Sequence, residues 1–121
     1  MRIDSINIFV KDIEKMVGFY RDVMLMNTQW NGESTAEFNV NGIRLNMQKR
    51  RELEEITGAQ FGYPKGLNGS FNLTIDRDTF DEVDEEYERV VELGAMPIME
   101  PKTMEWGQRT SCVADPEGKL V

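Results

Sequence analysis

The chain opens on alternation. In "RIDSINIFV", Arg2 to Val10, the two-residue period puts Ile6, Ile8 and Val10 on one face of a strand and Ser5, Asn7 and Phe9 on the other. The period then lengthens. Ile13, Met16, Val17, Tyr20, Val23 and Met24 recur at helical spacing, with Asp12 placed to cap the first turn. After the polar "MNTQW", which marks departure into a strand, "TAEFNV" and "IRLNMQ" alternate again around Asn41 and Gly42. An Asn-Gly pair between two alternating runs is a strong hairpin signal, so the spacing predicts a β-α-β-β-β unit.

The same order starts again from Gly69. "SFNLTI", Ser70 to Ile75, matches "SINIFV" in beginning with Ser and carrying Asn third. Thr79 and Glu82 form a capping-box pattern, and Phe80, Val83, Tyr87, Val90 and Val91 make an apolar stripe that Gly94 ends as a left-handed cap. "AMPIME" follows as a strand that Pro97 confines to an edge or irregular position. "QRTSCVA" is a strand, "DPEG" a turn and "KLV" the last strand. The first strands are offset by 65 residues and the hairpin glycines, Gly42 and Gly118, by 76, so the second copy carries an insertion of about eleven residues, expected mostly before "WGQRT". Between the copies, a short helical turn is expected at Glu52 to Ile56. Phe61 and Tyr63 either tuck against a groove edge or anchor the connecting loop. The expectation is one domain over residues 1–121, with modules at about 1–50 and 69–121 joined by a linker at about 51–68.

Composition narrows the function classes. At 121 residues with 40% hydrophobic content, the chain suits one compact core. No run of apolar residues is long enough to cross a bilayer and no leader pattern precedes the first strand, so a soluble cytoplasmic protein without membrane partners is expected. With 22 acidic against 14 basic residues the formal charge is −8, which disfavours a nucleic-acid footprint. The acidity fits solubility or attraction of a cationic small molecule. The single Cys112 cannot form an internal disulfide and has no neighbouring base to activate it. Histidine is absent, which leaves Glu37, Glu105, Tyr20 and Tyr63 as the acid or base candidates near a cavity.

The strand, then "VKDIEKMVGFYRDVMLM", a hairpin, and a second module ending "WGQRTSCVADPEGKLV" together resemble the vicinal oxygen chelate superfamily of glyoxalase I, bleomycin resistance proteins and extradiol dioxygenases. "FYRDVMLM" is similar to the family's Phe-Tyr plus Leu-Gly stretch, with Met26 standing where Gly is common. The resemblance covers essentially the whole chain. It implies an α+β fold, with two tandem β-α-β-β-β modules forming a curved, barrel-like mixed sheet around a cavity and helices outside. A homodimer is the assembly expected.

In the metal-using members, ligands sit on the first and last strands of each module. Carried over, those positions fall on Ser5, Ser70 and Asn46, while the fourth would follow Val121; the last strand is short enough for native residues to continue there. Hydroxyl and amide oxygens bind first-row divalent metals poorly. No metal site and no cofactor is therefore expected, and the resemblance points to the bleomycin-resistance-like, non-metal branch. The inward stripes, Ser5 and Asn7, Arg44, Asn46 and Gln48, and Ser70 and Asn72, are the candidate ligand-binding residues, with Trp30 and Trp106 as aromatic walls for a planar or cationic guest. Arg44 and Arg109 either clamp an anion or hold carboxylates on neighbouring strands. No catalytic residue is assigned. The expected function is metal-independent small-molecule binding of a sequestration or resistance type. The alternative is a lyase, isomerase or dioxygenase of the same fold using displaced ligands or metal-free acid and base chemistry.

Overall fold

A computed structural model describes residues 1–121 as two compact units, Met1–Tyr63 and Pro64–Val121. The first contains β1 (Ile6–Val10), α1 (Ile13–Gly18) continued by a π-helical turn (Phe19–Val23), β2 (Asn27–Thr28), β3 (Thr35–Val40), β4 (Ile43–Lys49) and α2 (Arg50–Thr57). Its four strands lie in the order β1-β4-β3-β2. β1 runs parallel to β4 with Asn7 opposite Asn46, and β3 pairs antiparallel with β4 with Glu37 opposite the same Asn46. The hairpin turn carries positive φ at Asn41 and Gly42, as the predicted Asn-Gly turn requires.

Helix α1 begins where Asp12 accepts a hydrogen bond from the Lys15 N–H at 3.1 Å. Its apolar stripe is buried together with Phe19, and Ile8, Val10, Phe38, Leu45 and Met47 meet it from the sheet. The Tyr20 ring sits edge to face with Phe19 and tilted against Phe38, fully buried, so this tyrosine is a core residue and not an acid or base facing a guest. The helical turn ends at Val23 with Met24 as its cap, and Leu25 just beyond adopts a left-handed φ of 59°, while the next residue, Met26, is buried. Leu25, not Met26, thus occupies the place where a glycine would be at ease, because only that residue carries the left-handed backbone.

The second unit contains β5 (Asn68–Asn72), α3 (Phe80–Glu92), β6 (Met96–Thr103), β7 (Arg109–Ala114) and β8 (Lys119–Leu120), in the strand order β5-β8-β7-β6. Thr79 caps α3 through the Glu82 N–H, whereas the Glu82 carboxylate reaches back to the Asp78 N–H and not to Thr79 itself. Gly94 supplies the predicted left-handed stop at φ 111°. Pro97 lies on β6, which is an edge strand as its proline requires.

Both sheets are mixed and open, with no ladder closing them into a barrel, so the α+β class and the doubled strand order are present as two separate four-stranded sheets. The extra length of the second unit is spread out. It lies partly in the long β6 and partly in the turn Asp115 to Gly118, where the first unit uses only Asn41 and Gly42. The connecting segment carries the expected helical turn at Glu52 to Ile56 as part of a longer helix, α2, which belongs to the first unit. There Arg50 lies over the Tyr63 ring at 4.4 Å, so Tyr63 anchors this segment to α2.

The "DPEG" turn is held by its aspartate. Buried Asp115 accepts hydrogen bonds from the Glu117 and Lys119 N–H groups at 2.8 and 3.0 Å, and Gly118 closes the turn onto the Asp115 carbonyl. Gly118 has no freedom to be another residue. Its φ is 87°, and a Cβ there would stand 1.9 Å from the Gly66 carbonyl oxygen.

Candidate functional site

Because β1 and β3 flank β4 in register, Asn7, Asn46 and Glu37 form one row of side chains across the first sheet. Asn46 Nδ2 donates to Asn7 Oδ1 at 3.2 Å, and Asn7 Nδ2 donates to Ser5 Oγ at 3.4 Å. The chain of three ends on Asn46 Oδ1, which is buried and has no hydrogen-bond partner. An unpaired buried carbonyl costs about 1–3 kcal/mol, so this is a destabilised atom in an otherwise satisfied row. Gln48, one pleat further along β4, donates to Glu52 on α2.

The row forms one side of a cleft of about 480 Å³ whose other side is the loop after β2. That loop is fixed by its own hydrogen bonds. Thr28 Oγ1 donates to the Glu37 carbonyl and accepts from the Trp30 N–H; the Trp30 indole donates to the Glu33 carbonyl at 2.7 Å. The Glu33 carboxylate accepts from the Asn31 N–H at 2.7 Å, and this bond, with one from its own N–H, holds its pKa below the usual carboxylate value. Trp30 is therefore a clamped aromatic wall. Thr28, Gln29, Glu33 and Thr35 also line the cleft, and sequence reading passed over them because the stretch from Gln29 to Ser34 carries no periodicity.

Arg44 does not await an anion. Its guanidinium bonds both oxygens of Glu37 at 3.3 Å and reaches Asp4 at 3.2 Å, and the Glu37 bond with the two carboxylate charges raises its pKa. The alternative in which Arg44 bridges strands is the one present. Arg109 does the same in the second unit, pairing with Asp84 at 2.7 and 3.2 Å and donating to Thr103. The remaining predicted ligand-binding residues belong to the second unit. Ser70 donates to Asn68 Oδ1 and Asn72 to Thr74, both exposed in the second unit. Trp106 is 74% exposed at the turn between β6 and β7, where Gly107 has positive φ; its indole donates to Gln108. Phe61 does not line this cleft, and burial pushes the Cys112 thiol pKa up.

A metal does not fit the donors present. Where the resemblance places ligands on the first unit stand the Ser5 hydroxyl and the Asn46 amide, already bonded through Asn7, and no group of three or more Cys, Asp or Glu side chains is arranged to hold an ion.

Comparison with known proteins gives the family. Residues 2–121 match the Glyoxalase/Bleomycin resistance protein/Dioxygenase superfamily. A curated relative, the metallothiol transferase FosB of Lysinibacillus sphaericus, is 28% identical over 121 residues, covering 98% of this chain and 79% of that protein. Among solved structures, a glyoxalase-related enzyme from Fulvimarina pelagi superposes with a TM-score of 0.84 at 22% identity, covering 98% of this chain and 84% of that one. Lactoylglutathione lyase from Agrobacterium tumefaciens gives 0.73 at 20% identity, covering 99% and 90%. The chain belongs to the Glyoxalase/Bleomycin resistance protein/Dioxygenase superfamily.

Proposed function

We propose that this superfamily member is a metal-independent small-molecule binding protein of the sequestration or resistance type, acting in the cytoplasm as a homodimer. The observation that carries the reading is the Ser5–Asn7–Asn46 chain. It fills the first unit's expected ligand positions with neutral groups that bond one another and leave one carbonyl oxygen unpaired beside a cleft. Such a row suits recognition of a guest by hydrogen bonding, with Trp30 as a flat wall, and supplies neither a charged ligand set nor a nucleophile and base pair. The absence of any helix able to span a membrane is compatible with that location. Exposed apolar residues of the second unit, Phe80, Leu93 and Met96 among them, favour self-association.

A second reading has its own support. The relatives named as a metallothiol transferase and a lactoylglutathione lyase carry enzyme names, so turnover with displaced metal ligands is the rival. Metal analysis of protein purified without chelators, followed by thermal-shift screening against divalent metals and a broad small-molecule library, separates the two. The binding reading expects no stoichiometric metal, no rise in Tm with Mn, Ni, Zn or Fe, and stabilisation by at least one organic compound. Stoichiometric metal, or a library in which nothing stabilises the folded protein, overturns it. Light scattering on the same sample reads the dimer directly.

A further inference from the structure

The electrical sign of the cleft allows the guest to be narrowed. None of its eleven lining residues is basic, and two, Glu33 and Glu37, are carboxylates. The cation bonded to the row, Arg44, is shared between Glu37 and Asp4, while Lys11, Arg21 and Lys49 line a separate cleft that also borders Trp30. The adjoining cleft lined by Asn27, Gln29, Glu37 and Asn39 also lacks a basic side chain. Trp30 offers a ring whose N–H is already satisfied by the Glu33 carbonyl, so its face and not its donor is left for recognition. The one buried side-chain oxygen of the row without a partner, Asn46 Oδ1, is an acceptor.

We propose that the cleft takes a flat organic cation bearing N–H donors, of the amidine, guanidine or protonated aromatic amine class. It stacks on Trp30, is held by the Glu33 and Glu37 charges, and donates to Asn46 Oδ1 once the side chains over that oxygen shift aside. This rests on the small-molecule reading above and adds the ligand's charge, shape and hydrogen-bond polarity. A neutral isostere keeps the stacking but loses the charge. An anion of the same shape meets carboxylates and an acceptor, and is rejected on both counts.

The test uses three isosteric probes, benzamidine, benzamide and benzoate, titrated into Trp106→Phe protein and read by tryptophan emission, with Trp30 the sole tryptophan. The expected order is benzamidine tightest, by roughly tenfold over benzamide, with benzoate weakest, and with benzamidine affinity falling as ionic strength rises. Glu33→Gln should shrink the ratio of benzamidine to benzamide affinity, and Asn46→Leu should weaken both donor-bearing probes; circular dichroism checks that each variant folds. Equal or tighter binding of benzoate, an order that ignores Glu33→Gln, or no Trp30 response to any probe by the folded protein overturns the cation assignment. The binding reading itself falls only if the wider library also fails, so the two failures are distinguishable.

Discussion

The two units repeat one strand order but are stabilised by different physics. Of the seventeen buried apolar residues, thirteen belong to the first unit and only Val90, Ala95, Val113 and Ala114 to the second. The first unit is a packed core with a polar row laid across its sheet. The second buries less apolar side chain and is marked by turn geometry, Asp115 folding "DPEG" around itself and Gly118 against Gly66, while ion pairs are common to both units, Arg44 with Glu37 and Asp4 in the first and Arg109 with Asp84 in the second. The helix stops diverge in the same way. Gly94 takes the left-handed position at ease, whereas Leu25 takes it under strain because the packing of Tyr20, Met24 and Met26 fixes the chain around it. A duplicated fold thus constrains topology far more tightly than it constrains the source of stability.

The largest expected break in this comparison is in the cores. Phe38→Ala empties a fully buried site in the first unit and should cost about 3–5 kcal/mol, whereas Val113→Ala in the second should cost about 2, both read from urea midpoints at constant m. Equal losses would mean that the second unit packs as tightly as the first. Next come the turn glycines. Gly118→Ala places a Cβ against the Gly66 backbone and should cost about 3 kcal/mol, while Gly42→Ala, with open space around it, bears only the left-handed cost of about 1 kcal/mol. Thermal unfolding of the pair checks whether backbone contact, and not φ alone, makes Gly118 obligatory.

A smaller effect has the opposite sign. Leu25→Gly should raise stability by about 0.5–1 kcal/mol by relieving left-handed strain at an exposed side chain, and Gly94→Leu should lower it by a similar amount. If Leu25→Gly destabilises, the side chain contributes packing that its exposure conceals. The smallest effect is electrostatic. The Arg89 hydrogen bond, opposed by desolvation and aided by Arg77, lowers the Glu86 pKa. A carboxylate whose folded pKa is depressed adds stability above its unfolded pKa, and that stability is lost as pH falls through the folded value. Solvent screening keeps it below about 1 kcal/mol, so Glu86→Gln should flatten the stability profile slightly on the acid side and leave it unaltered under acid conditions where Glu86 is already protonated.

Local patterns carried much of this molecule because their causes are local. The capping Asp12, the Asn41–Gly42 turn, the Gly94 stop and the alternation that buries Ile8, Val10, Leu45 and Met47 all depend on neighbours within a few residues, and all were legible. The site was legible only in part. Asn7, Asn46, Gln48 and Trp30 were singled out and line the cleft, but Thr28 and Glu33 enter through a loop whose shape is set by hydrogen bonds that no periodicity announces. Trp106 looked equivalent to Trp30 as a residue type, but it sits 74% exposed on a turn at Gly107, whereas Trp30 is half-buried and clamped by the Glu33 carbonyl.

The sequence by itself determined the doubled order of strands and helices, the acidic balance, and the neutral residues at Ser5, Asn46 and Ser70, since these are properties of spacing and residue type. Only the tertiary structure decided that Arg44 is consumed by Glu37 and Asp4, that Leu25 bears the left-handed strain, and that Asn46 is left with an unpaired oxygen. Each of those depends on which strands lie side by side and in what register. Register is a matter of long-range pairing, and the residues that meet through it are far apart along the chain.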